Sequence, residues 1–177
     1  MTTPIVRSFR LVAVAVPAIA ILAYGLGSAL GTDKATTAPA GNSSVIDGVH
    51  FVSVDALQSQ VIGHQAAVLL FMAPGCSSCF GEVQVLVGAL RGSSKLRLVG
   101  IDMSPDDPRD LAPYLRAIQV ADAPLIWTVD SNGILTVRYQ VTALSSTVGL
   151  DSSGRVKFTN QGPADDGQLV QQVSQLA

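Results

Sequence analysis

The run Ala66–Met72, AAVLLFM, is apolar at every position and leads through APG into Cys76-Ser-Ser-Cys79. An uninterrupted apolar run of strand length suits a strand covered on both faces, because alternation is expected only where one face meets water. A second buried-type strand, LRLVGID from Leu96 to Asp102, follows a segment in which Phe80, Val83, Val87 and Leu90 recur at helical spacing. Two doubly covered strands separated by a helix require layers above and below a sheet.

The neighbouring segments continue that alternation. HFVSV reads as a short strand, and VDALQSQVIG as a helix with Asp55 as its N-cap. PRDLAPYLRAIQV reads as a helix with Pro108 in its first turn, where a missing N–H costs nothing. PLIWTVD is extended, and after it come SNGILTVRYQV, STVGLD, the turn SSG, RVKFT and a closing helix opened by Asp165 or Asp166. The pattern predicts a three-layer α/β sandwich with a mixed central sheet. With 177 residues, 48% of them hydrophobic and 14% charged, the chain can bury one substantial core.

Ahead of this domain, Arg7 and Arg10 precede an uncharged apolar run from Leu11 to Leu30. Its length matches the roughly 20 residues of a membrane-spanning helix. Residues 1–30 are therefore expected to be a signal anchor, with a cleaved signal peptide ending near Ala29 as the alternative. Arginines ahead of the run place the rest of the chain on the extracytoplasmic side. Residues 31–48, rich in Thr, Ala, Gly and Ser, read as a flexible linker, and residues 49–177 as the folded domain. With Arg7 and Arg10 set aside, nine basic residues face thirteen acidic ones, a net charge of −4, so nucleic acid is not an expected partner.

Cys76 and Cys79 are the only cysteines and Glu82 the only glutamate. A redox pair, a structural disulfide and half of a zinc site are all compatible with the bare motif. A disulfide closing so short a loop gives only about 2 kcal/mol in the chain-entropy model, which makes a purely structural bridge a weak use of the pair. Zinc needs four ligands, and His50 and His64 lie upstream without the spacing of a second ligand pair. At the first turn of a helix, by contrast, free N–H groups and the positive dipole end stabilise a thiolate. This makes Cys76 the candidate attacking thiolate and Cys79 the resolving one. Glu82, three residues on, faces roughly the same side; it suits proton exchange with Cys79, or simply a solvated acid near a helix N-terminus.

AVLLFMAPGCSSCFGE, LVGIDMS, PLIWTVDSNGILTVRYQV and STVGLDSSGRV together resemble the TlpA/ResA-like branch of the thioredoxin superfamily. That resemblance, covering about residues 49–177, implies a thioredoxin-like fold and a membrane-tethered thiol–disulfide oxidoreductase, many of which serve cytochrome c maturation. It implies protein thiol or disulfide substrates, a membrane electron donor and no cofactor, and it carries an active-site role to Glu82. Gly75 stands where the branch usually has Trp. The alignment puts Ser145 where a cis-proline is expected to face the cysteines, which makes Leu144, Ser145 and Ser146 the expected substrate loop. The bond before a serine should be trans, since the cis form costs about 2.5 to 4 kcal/mol. An alternative that uses the same thiolates is a metal-binding or chaperone module for copper(I), which soft ligands select.

Overall fold

The computed structural model describes residues 43–176, apart from Gly92, Gln119, Ala121, Asp122 and Pro124. The expected anchor or signal segment (residues 1–30) and the linker up to residue 42 lie outside the described residues. Among the described residues no helix is long and apolar enough to cross a membrane.

Seven strands form one mixed sheet. They are β1 (Ser43–Ile46), β2 (Val49–Val52), β3 (Ala66–Met72), β4 (Leu96–Asp102), β5 (Leu125–Val129), β6 (Ser146–Leu150) and β7 (Val156–Asn160), in the spatial order β1-β2-β5-β4-β3-β6-β7. β2, β5, β4 and β3 run parallel to their neighbours, whereas β1, β6 and β7 pair antiparallel. β3 is buried throughout, as its unbroken apolar composition predicts, and β4 is buried at every position but Arg97. Alternate residues of β3 point into two separate cores. Val68, Leu70 and Met72 meet α2 (Ser77–Leu90), α3 (Pro108–Ala117) and α5 (Asp166–Ser174); Ala67, Leu69 and Phe71 meet α1 (Val54–Gln60) and α4 (Ile134–Arg138). These are the three layers expected.

Four local features differ from expectation. The folded domain includes residues before Val49, because β1 lies inside the stretch read as linker and pairs with β2 through a two-residue turn. Asp47 and Gly48 both have positive φ, 51° and 83°, the type I′ geometry that Asp-Gly favours between paired strands. The N-cap of α1 is Ser53 rather than Asp55: Ser53 is extended, and its hydroxyl accepts from the Ala56 N–H at 3.1 Å. Within SNGILTVRYQV, to which the sequence assigns no element, Ile134–Arg138 forms α4. The Asp130 carboxylate accepts from the N–H groups of Leu135 and Thr136 and from the Thr136 hydroxyl, which holds the helix start in place. Finally, the buried stripe of α2 is Cys79, Glu82, Val83, Leu86 and Leu90, while Phe80 is exposed.

Candidate active site

The C-terminal end of β3 feeds a tight turn, Ala73-Pro74-Gly75-Cys76. The Cys76 N–H donates to the Ala73 carbonyl at 3.2 Å and Gly75 has φ +84°. Proline then glycine at the central positions, with positive φ on the glycine, is the type II pattern. The turn explains Gly75. A Cβ there would meet nothing within 4 Å, so it is the backbone conformation, rather than space, that disfavours a larger residue such as Trp.

The turn delivers Cys76 to the N-cap of α2, where its Sγ accepts from the Cys79 N–H at 3.2 Å. The Ser78 hydroxyl donates to the same sulfur at 3.5 Å. Cys76 and Cys79 are joined as a disulfide with their Cα atoms 5.4 Å apart. Cys76 is 9% exposed and Cys79 fully buried. In the reduced pair the same N–H, hydroxyl and helix dipole stabilise negative charge on Cys76. Ser78 is a contributor that the motif alone does not identify; its signal is a hydroxyl on the first turn of the cysteine helix.

Glu82 belongs to the buried stripe of α2, three residues after Cys79 and four before Leu86, and only 4% of it is exposed. The solvated-acid option is therefore excluded. Its Oε1 accepts from the Ala164 N–H at 2.8 Å, and its Oε2 accepts from the Ser145 hydroxyl. Burial pushes the Glu82 carboxyl above its ordinary range; the hydrogen bonds from Ser145 and Ala164 oppose that rise, and the charge of Asp166 adds to it. One carboxyl thus ties α2 to the loop before β6 and to the loop before α5.

The loop expected to face the cysteines is Leu144-Ser145-Ser146. Leu144 is exposed, whereas Ser145 and Ser146 are buried. The Ser145 N–H donates to the Phe71 carbonyl at 2.9 Å, which fixes this loop to the end of β3. Ser145 adopts φ +62°, a left-handed conformation costing an L-residue roughly 1–2 kcal/mol. Ser146 donates to the Ala143 carbonyl at 2.7 Å and accepts from the Gly162 N–H at 2.9 Å. Gln161 braces the same loop by accepting from Thr142 and donating to the Gln140 carbonyl. The structure thus joins Glu82 to Ser145 directly; sequence reasoning missed Ala164, which acts through its backbone N–H and leaves no residue signature, and Gln161, which acts through its side-chain amide.

Another acid missed from sequence is Asp102, which ends β4 in register with Met72 and is fully buried. Its Oδ1 accepts from the Ser104 N–H and hydroxyl at 3.0 and 2.5 Å, while Oδ2 has no partner among the described residues. Burial raises its carboxyl above the usual range, against the Ser104 hydrogen bonds and with help from the Asp106 charge. The available signal was an acid terminating a buried strand run. His50 and His64 are both exposed, and among the described residues no three His, Cys, Asp or Glu side chains gather to hold a metal.

MTB dsbF, whose structure holds mixed oxidized and reduced forms, superposes on this geometry with a TM-score of 0.59, 20% identity and coverage of 76% of this chain and 94% of that one. The fold is thioredoxin-like. A secreted Mycobacterium tuberculosis disulfide oxidoreductase homologous to E. coli DsbE gives a TM-score of 0.57 at 17% identity, covering 76% of this chain and 95% of its own. A Streptomyces lividans protein described as mercury resistance operon ORF3 is 29% identical over 137 residues, 75% of this chain and 71% of that protein. No family model matches the sequence.

Proposed function

We propose that this thioredoxin-like chain is a thiol–disulfide oxidoreductase in which Cys76 is the nucleophile, Cys79 the resolving cysteine and Glu82 the proton-transfer group. The observation that carries the assignment is the Cys76–Cys79 disulfide at the N-terminus of α2, with the Cys76 sulfur as the helix cap. In the reducing direction the Cys76 thiolate attacks a substrate disulfide, forming a mixed disulfide and releasing one substrate thiolate. Glu82 takes the proton of Cys79. The Cys79 thiolate then attacks the Cys76 sulfur, closing the intramolecular disulfide and expelling the second substrate thiolate. Two electrons pass from the dithiol to the substrate, and the released thiolates take up protons from Glu82 and solvent.

The wider setting is part of the same proposal. Arg7, Arg10 and the Leu11–Leu30 run support a membrane-tethered domain on the extracytoplasmic side, reduced by a membrane electron donor. Reduction of exported proteins, as in cytochrome c maturation, is the role proposed for it. The exposed Leu144 beside buried Ser145 and Ser146 supports a substrate loop at residues 144–146. The test is to equilibrate the full-length chain against dithiothreitol buffers, quantify free Cys76 and Cys79 by alkylation, and assay insulin reduction. A reversible two-electron transition with catalysed reduction supports the assignment; a pair that never cycles overturns it.

A second reading is a soft-metal module using the same two thiolates, favoured by the Streptomyces lividans relative described from a mercury resistance operon. Two sulfurs without a third His, Cys, Asp or Glu ligand among the described residues suit a low-coordinate soft ion such as copper(I) or mercury(II). Tight one-to-one binding of either ion to the reduced chain, with no catalysed exchange, would establish this reading over the first.

A further inference from the structure

Resting on the oxidoreductase reading, we propose that Ser145 is a positioning residue for proton transfer at the dithiol, its hydroxyl orienting the Glu82 carboxyl and remaining hydrogen-bonded to it in both protonation states. The geometry for this is specific. The Ala164 N–H can only donate, so it keeps Oε1 as an acceptor and leaves Oε2 as the oxygen that takes a proton. Oε2 is the atom that Ser145 contacts. A hydroxyl can donate to a carboxylate or, by rotating, accept from a carboxylic acid, so Glu82 can gain and lose a proton without leaving a buried polar atom unpaired. No apolar residue at this position, proline included, can do both.

Two further observations support the assignment. Ser145 is held in a left-handed conformation by its N–H bond to Phe71, so the hydroxyl is aimed by the backbone. Strain of this kind persists where the surroundings enforce it and marks a place to look for function. The contact also spans two elements: Ser145 lies on the loop before β6 and Glu82 one turn beyond Cys79 on α2. Among the described residues, the charged group acting on Glu82 from a packed neighbour is Asp166 of α5; the others facing it are the Ser145 hydroxyl and the Ala164 N–H.

Because Glu82 is the chain's only glutamate, cell-free synthesis with ¹³C-carboxyl glutamate places a single label in the full-length protein. The experiment titrates that carbon by NMR in the oxidised wild type, Ser145→Ala and Ser145→Gly, and records the pH–rate profile of insulin reduction on the same preparations. The glycine variant removes the hydroxyl while relieving the left-handed strain, so it keeps the test intact if the alanine variant folds poorly. Loss of a charge-assisted donor should move the Glu82 midpoint up by about one pH unit in both variants, with one limb of the rate profile moving in the same direction. An unmoved midpoint in either folded variant overturns the proposal, and a moved midpoint with an unmoved rate profile overturns its catalytic part. A wild type that catalyses no exchange instead overturns the oxidoreductase reading, a failure distinguishable because the NMR titration needs no turnover.

Discussion

Ser145 donates its hydroxyl hydrogen to Glu82, a residue 63 positions earlier in the chain, and both side chains are buried. The carboxyl therefore takes part in folding as well as in any chemistry at Cys79. Its two oxygens accept from two different loops, and changing the side chain reads out both roles.

Glu82→Gln should fold. The amide oxygen can accept from Ala164 and the amide NH₂ can donate to Ser145, so no buried partner is orphaned, whereas Glu82→Ala strands the Ala164 N–H at a cost of about 1–3 kcal/mol. Denaturant midpoints of the two variants check this; equal stability would show that the two hydrogen bonds contribute nothing.

The pH dependence of stability follows from the direction of the Glu82 shift. Its folded-state carboxyl titrates above the ordinary value of 4.5, so between the unfolded and folded values the folded protein holds a proton that the unfolded chain has lost. Stability should fall as pH rises from about 4.5 through the folded value, with no contribution from Glu82 below 4.5. Asp102 has the same sign, so the diagnostic quantity is the difference between wild type and Glu82→Gln. The wild type should lose more stability across that window; parallel curves would contradict the assigned shift.

Ser145→Pro should be strongly destabilising, by about 3 kcal/mol or more. Proline removes the N–H that bonds Phe71 and locks φ near −65°, against the observed +62°. Sequence alignment alone makes this change look conservative, because the TlpA/ResA-like branch places proline there. Thermal unfolding beside Ser145→Gly decides the matter, since an undiminished Tm for the proline variant would mean that the loop does not require its left-handed residue.

Gly75→Ala should cost about 1–2 kcal/mol through backbone strain alone, because the site has room for a side chain but φ is +84°. Gly75→Trp should cost a similar amount and so should not simply restore the aromatic residue usual in the branch. Equilibrium unfolding of both variants measures this, and a variant as stable as the wild type would contradict it.

Elements with a strong period or a buried-type apolar run were legible: β3 and β4, the cysteine helix, the Pro108 start of α3 and an acid at the opening of α5, which the structure settles as Asp165 rather than Asp166. Three features were harder to see because long-range contacts decide them. Glu82 looks like a surface acid in a local window, yet Leu86 and Cys79 share its face and draw it into the core. The ILTVR segment turns helical because a carboxylate at Asp130 caps it. Ser145 carries no signal of its left-handed backbone, which depends on the Phe71 carbonyl across the sheet. The hairpin at Asp47-Gly48 was readable in principle, since Asp-Gly between β-branched residues is a turn signal, but it sits at the end of a low-complexity stretch that masks it.

The most direct measurement of the proposed chemistry is disulfide trapping on the full-length chain. Cys79→Ser and Cys76→Ser proteins are reduced, incubated with insulin, quenched with acid and analysed by peptide mass spectrometry. A stable mixed disulfide through Cys76 is expected in the Cys79→Ser protein, and neither adduct nor catalysed reduction in Cys76→Ser. An adduct formed through buried Cys79, or insulin reduction by the Cys76→Ser protein, would contradict it.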